Sequence, residues 1–164
     1  LQPFKVLDIK NKELLKMIKT DEINKERFLT ADKVLLFCGI DNLHKLVKKM
    51  FDKKSNYDDN LRIKFEKAEN SIIEILNTFD NNEKIAWVSS NTHVALGFAL
   101  AACSELNIDS CPISIFEKES VKNTFNLDEN LNPFVFLTLG YRDSDENHNI
   151  KWRFEEKDLF SEIN

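Results

Sequence analysis

With three glycines in 164 residues, the chain contains no Walker loop and no GxGxxG. The HExxH of zinc hydrolases and the GxSxG of nucleophile elbows are missing as well. His44, His93 and His148 are too few and too scattered to mark a metal site, and no metal is expected. Cys38, Cys103 and Cys111 are odd in number, lack CxxC or ligand spacing, and lie in apolar surroundings. They read as buried thiols in a reducing compartment. No Asp or Glu is convincingly paired for general-base work, and a packed or boundary role for His93 is preferred to catalysis.

No signal-peptide pattern is read from Leu1 onward. The apolar run VALGFALAACSELNI is shorter than a membrane span and ends among Glu105 and Asn107, so a cytoplasmic location without a membrane partner is expected. Lys and Arg number 23 against 28 Asp and Glu, a formal net charge of −5. That balance argues against the whole chain gripping nucleic acid, though a local basic pocket is compatible with it. Thirteen Phe against two Tyr and two Trp make the aromatics mostly core filler, with a ring-stacking pocket still open.

What is present reads as one α+β domain over residues 1–164, without internal repeats. FKVLDI (Phe4 to Ile9) predicts a strand, and NKELLKMIK (Asn11 to Lys19) a short helix capped by Asn11, with Glu13 in its first turn. KVLLFCGI (Lys33 to Ile40) is an apolar strand suited to a covered sheet, with Gly39 as its exit. Asp41 through Met50 looks helical. The polar segment near 52–60, DKKSNYDDN, is expected to be a mobile surface connection. LRIKFEKAENSIIEILNTF gives a long amphipathic helix with Ile72, Ile75, Leu76 and Phe79 on one face. A second helix starts near Ser89 or Ser90. It is apolar around most of its circumference, as for a helix central to the fold or buried between subunits. Pro112 argues for an irregular segment. ESVKNTFNL predicts a short helix and NPFVFLTLGY (Asn132 to Tyr141) the strongest buried strand.

Near the end, NIKWRF sets Lys151 and Arg153 on either side of Trp152. If extended, it sends both cations to one face and the indole to the other. Two such side chains can converge on a phosphate, a guanidinium through two directed hydrogen bonds, or they can be a solvated pair in a tail.

LQPFKVL, ADKVLLFC, ALGFALAACSELNIDSCPI, FVFLTLGYR and the late KWR, in that order and spacing, together resemble the FMN-dependent nitroreductase family over nearly the whole chain. The resemblance implies an antiparallel or mixed sheet flanked by helices and an intertwined homodimer with two FMN sites at its interface. It also implies that Leu1 follows a helical region and a Ser-rich loop. These would supply an Arg-x-Ser-x-Lys-like set to the FMN phosphate and ribityl chain, so that the domain is N-terminally incomplete.

By the same resemblance, Lys151 and Arg153 hold the FMN phosphate. Asn24 matches an asparagine that hydrogen-bonds the flavin, and Arg27 stands where a related member carries lysine. It would place positive charge near the ring's pyrimidine edge. Read without the resemblance, the two are a capping asparagine and a solvated arginine. Asn91 and Val94 resemble helix positions that reach FMN across the interface, or are a boundary and a packing residue. In CPISIF, Pro112 belongs to the strand-to-loop region beside the flavin, and the backbone at Ser114 and Ile115 would donate to the ring's N5 and O4 edge. Many relatives carry Glu-Gly at Ser114–Ile115, and a β-branched isoleucine is denied conformations that glycine permits.

The implied activity is reduction of nitroaromatics, quinones or related small acceptors by NAD(P)H, with the chemistry at flavin N5 and no catalytic side chain. The alternative is a flavin-binding or structural homodimer with little or no turnover.

Overall fold

The computed structural model describes residues 1–141 and 152–163. The apolar stretches Phe4–Ile9 (β1), Lys33–Ile40 (β2) and Leu131–Gly140 (β4) are strands, joined by Asp109–Ile113 (β3) into one four-stranded antiparallel sheet of order β1-β2-β4-β3. Because side chains alternate along a strand, β2 and β4 feed two separate cores. Val34, Leu36, Cys38 and Phe136 point to one face, where they pack with Leu15, Ile18, Phe28 and Val121. Phe37, Val135 and Leu137 point to the other, with Val47, Phe51, Leu76, Val88 and Leu96.

The helices divide accordingly. Lys12–Leu15 (α1), Glu22–Thr30 (α2) and Lys118–Phe125 (α6) cover the first face. Leu43–Lys54 (α3), Asp59–Thr78 (α4) and Asn81–Glu105 (α5) cover the second. A short helix, Glu156–Leu159 (α7), lies near the C-terminus with no buried residue. The result is an α+β fold of three layers with the sheet in the middle.

The register shifts between Phe37 and Cys38, which pair with Val135 and Pro133 and leave Phe134 as the extra residue of a β-bulge. The bulge breaks the alternation, so Phe134 and Val135 face the same core although adjacent in sequence. Phe134 there occupies space beside Gly39, which lies inside β2. A Cβ on Gly39 would fall 2.3 Å from Val88 Cγ1 and 2.4 Å from Phe134 Cε2. The missing side chain therefore lets α5 and the bulged ring close on the sheet.

Several boundaries differ from the sequence expectation. The helix expected over Asn11–Lys19 is regular only over Lys12–Leu15, with Asn11 capping it by accepting from the Glu13 amide. After Leu15 the amides of Met17 and Ile18 reach back three residues, to Leu14 and Leu15. Such tighter turns align positions three apart, and Leu15 and Ile18 both enter the core. The polar connection is shorter than expected, because α3 continues to Lys54 and α4 starts at Asp59. The turn between them is tied down: Ser55 is buried and donates to Asp52 O (2.9 Å), and Arg62 Nε meets Asp52 Oδ1 at 2.8 Å while its other arm pairs with Glu69. On α4, Ile75 faces out at 58% exposure, whereas Ile72 and Leu76, with Phe79 just past the helix end, serve the core as expected, joined by Phe65 and Ile73.

The start of α5 lies eight residues or more before the expected Ser89 or Ser90. Asp80 accepts from the Glu83 amide while the Glu83 carboxylate accepts from the Asp80 amide. This reciprocal pair satisfies two helix-end donors and nucleates the helix in a polar stretch. Pro112 lies within β3 rather than in irregular chain. That strand is at the sheet's edge, where a residue without an N–H is tolerated. Of the three thiols, Cys38 and Cys103 are buried, whereas Cys111, also on the edge strand, is only half-buried.

Candidate functional site

At the N-terminus of α2, Asp21 accepts from the Asn24 amide (2.8 Å) and from Asn24 Nδ2 (2.6 Å). Asn24 Oδ1 in turn accepts from Arg27 Nη1 at 3.2 Å. Asn24 is buried and Arg27 exposed. The carboxamide thus has a fixed rotamer and aims the guanidinium, while one donor and one acceptor position are unused among the described residues. The capping role expected for Asn24 therefore belongs to Asp21, and Asn24 is a buried residue of the first turn.

Between β3 and α6 runs the loop containing Ser114 and Ile115, both exposed, as is Pro112 just before it. Thr20 Oγ1 donates to the Ile115 carbonyl at 2.5 Å, and the Glu117 amide donates to the Lys19 carbonyl at 2.9 Å. Ser120 Oγ accepts from the Lys19 amide (3.2 Å) and donates to Met17 O (3.3 Å). The amides of Ser114, Ile115 and Phe116 donate to no turn or loop carbonyl among the described residues. The Phe116 ring is anchored edge-on to Phe136, centroids 5.0 Å apart. The loop therefore presents N–H donors from a backbone fastened to the segment that leads into α2. Sequence reasoning did not identify Thr20, Lys19 or Ser120. No local motif marks them, and their only signal is two polar segments a hundred residues apart that happen to meet.

Asn91 and Val94 are on α5, in the opposite layer. Asn91 Nδ2 donates to Trp87 O (2.9 Å). Val94 is 60% exposed and Phe98, one turn on, is 75% exposed. Nothing lies within 4 Å of the position a Cβ would take on Gly97. By length and composition α5 is apolar enough to cross a membrane. It lays Val88 and Leu96 on the sheet, and its other side is uncovered by the described residues at Val94 and Phe98. Asn24 and Arg27 thus sit on the helix that follows the segment bonded to the Ser114 loop, and Asn91 and Val94 lie on α5 in the layer across the sheet from that helix.

Arg153 is exposed, and its Nη1 donates to Trp152 O at 2.7 Å. Trp152 and Phe154 meet edge-to-face with centroids 4.5 Å apart, as alternate residues of an extended chain should. Lys151 lies outside the described residues.

Comparison with known proteins bears on this arrangement. The pattern of the Nitroreductase family matches residues 1–141. A Staphylococcus saprophyticus protein named for an inferred NAD(P)H nitroreductase activity is 31% identical over 78 residues, 44% of this chain and 36% of that protein. The match thus spans about a third of that relative's length. A Staphylococcus epidermidis protein named in the same way is 27% identical over 99% of this chain and 78% of its own length. Among solved structures, a nitroreductase from Exiguobacterium sibiricum in complex with FMN superposes with a TM-score of 0.81 at 13% identity, covering 98% of this chain and 77% of that one. The three-layer arrangement is therefore the fold these proteins share.

Proposed function

This chain belongs to the nitroreductase family of oxidoreductases, and from that premise we propose that it binds FMN and uses NAD(P)H to reduce nitroaromatics, quinones or related small acceptors. The observation that carries the reading is the Ser114–Phe116 loop, exposed at Ser114 and Ile115, whose amides donate to no turn or loop carbonyl among the described residues and which is fastened to the segment that opens α2. The pyrimidine edge of a flavin is rich in acceptors, and backbone N–H groups beside an oriented guanidinium suit it. FMN would supply a ring nitrogen, N5, able to accept and pass on hydride.

The residues of this chain would bind and orient. The Ser114 and Ile115 amides face the ring edge, with Pro112 beside it. Arg27, steered by Asn24, favours negative charge on the ring. Arg153, together with Lys151, holds the phosphate through charge-assisted hydrogen bonds. No side chain acts as a nucleophile.

The working unit in this reading is a cytoplasmic homodimer of a single-domain chain. Asn91 and Val94 lie across the sheet from Asn24 and Arg27, so one copy cannot gather all four around one ligand. A second copy packed on the uncovered side of α5 can. It would also bury Val94 and Phe98, whose exposure is otherwise costly.

The visible spectrum of the natural protein carrying this chain, followed by anaerobic titration with NAD(P)H, tests the proposal. A flavin spectrum that bleaches on titration is the expected result, and a protein that takes up no FMN would refute it. A second reading, flavin binding with little turnover, is favoured by Ile115, which is 72% exposed on the loop at a position where the family resemblance implies glycine. Its β-branched side chain can obstruct approach of a second ligand. Bound FMN that does not bleach supports that alternative.

A further inference from the structure

We propose that Thr20 is a positioning residue for the flavin-facing amides of the Ser114–Phe116 loop, an inference that rests on the FMN reading above. Its hydroxyl donates to the Ile115 carbonyl at 2.5 Å. A carbonyl and the following N–H share one rigid trans peptide plane and point in opposite directions. Holding the Ile115 oxygen toward Thr20 therefore turns the Phe116 N–H away from it. The Ile115 N–H, one plane earlier, is left between two fixed points: the Thr20 bond on one side and the pairing of Ile113 with Phe136 on the other.

Thr20 is placed for this because its own segment is fixed. Lys19 on one side holds the Glu117 amide and is held by Ser120. On the other side, Asp21 caps α2 and begins the Asn24–Arg27 chain. Thr20 is thus the side-chain link through which the guanidinium and the loop amides keep one spacing. The remaining contacts between the segments, Lys19 O with the Glu117 amide and Ser120 with Lys19 and Met17, keep the loop attached when the Thr20 hydroxyl is removed. The hydroxyl then governs orientation more than stability.

The experiment compares Thr20→Val, which keeps the shape and removes the donor, with Thr20→Ser, which keeps the donor. In the FMN-free natural protein, Thr20→Val should speed hydrogen exchange at the Glu117 amide, which is bonded across to the Lys19 carbonyl, while Thr20→Ser leaves it slow. In the loaded protein, Thr20→Val should weaken FMN binding by about two- to tenfold, the range of one ordinary hydrogen bond. It should also shift the midpoint potential of the bound flavin, by about 30 mV if a tenfold loss falls on one oxidation state alone. Thr20→Ser should restore both, with equal thermal midpoints for all three proteins.

Unchanged exchange, affinity and potential in Thr20→Val, with FMN bound, would overturn the inference and leave the FMN reading standing. Equal impairment in the valine and serine variants, or a loss that only tracks thermal stability, would also overturn it. A wild-type protein that takes up no FMN removes the function proposed above and this inference with it.

Discussion

Cys38 shows how a single position can be legible in type and still carry consequences that only packing reveals. Its burial follows from the apolar run around it. In the sheet it is fully enclosed among Leu36, Val34 and the α1–α2 side chains. Burial pushes its thiol from the ordinary 9.0 up to about 12, with Lys5 pulling weakly the other way. A value raised on folding means that the neutral form is favoured in the native state. Its contribution is complete below about 9 and is lost as pH climbs toward 12. Denaturant titrations from neutral to alkaline pH should therefore show a stability slope in that window which Cys38→Ala lacks, after the alanine's lower plateau is subtracted. The native thiol should also resist alkylation. Asn24 was likewise legible as a polar residue at a helix start, but its link to Arg27 was not, because a hydrogen bond between side chains three apart depends on the rotamers chosen.

At the scale of elements, β1, β2 and β4 were readable because apolar runs of strand length bounded by polar residues leave few alternatives. The origin of α5 was not read, although Asp80 and Glu83 stand at capping-box spacing, because the polar residues around them resemble a loop. Pro112 was read as breaking regular structure. Which strand lies at an edge is a property of the sheet order, so the sequence alone could not license a proline there. The bulge at Phe134 and the vacancy at Gly39 form another such pair, two features far apart in sequence on different strands. Gly39→Ala should be destabilising by about 1–3 kcal/mol, the cost of overpacking a close contact. Val88 and Phe134, both buried, must move to admit the methyl group. Thermal unfolding of the variant checks this, and a melting point equal to wild type would mean that α5 can ride outward at no cost.

At the scale of the molecule, α5 is the element on which the proposed homodimer turns. Its all-round apolar character was visible in the sequence as a choice between a central helix and a subunit interface. In the folded chain one side packs on the sheet, and Val94 and Phe98 remain in solvent. Replacing Phe98 by Lys puts a charge on that side without touching the core. If the proposed FMN-loaded homodimer forms through this side, sedimentation over a dilution series should find a dimer for wild type and monomers for Phe98→Lys, with unchanged circular dichroism and lost FMN. A folded variant that remains a dimer would show that another surface joins the copies.

The sheet that separates Arg27 from Asn91 has a consequence for inheritance of damage. If each site takes its halves from different copies, chains bearing Arg27→Ala and chains bearing Asn91→Ala are each impaired alone, yet they can complement one another. In a mixed dimer both lesions fall on the same site and the other site is intact. Co-expression of the two variants should recover FMN binding that neither shows by itself, whereas a site built within one copy would give no recovery at any mixing ratio.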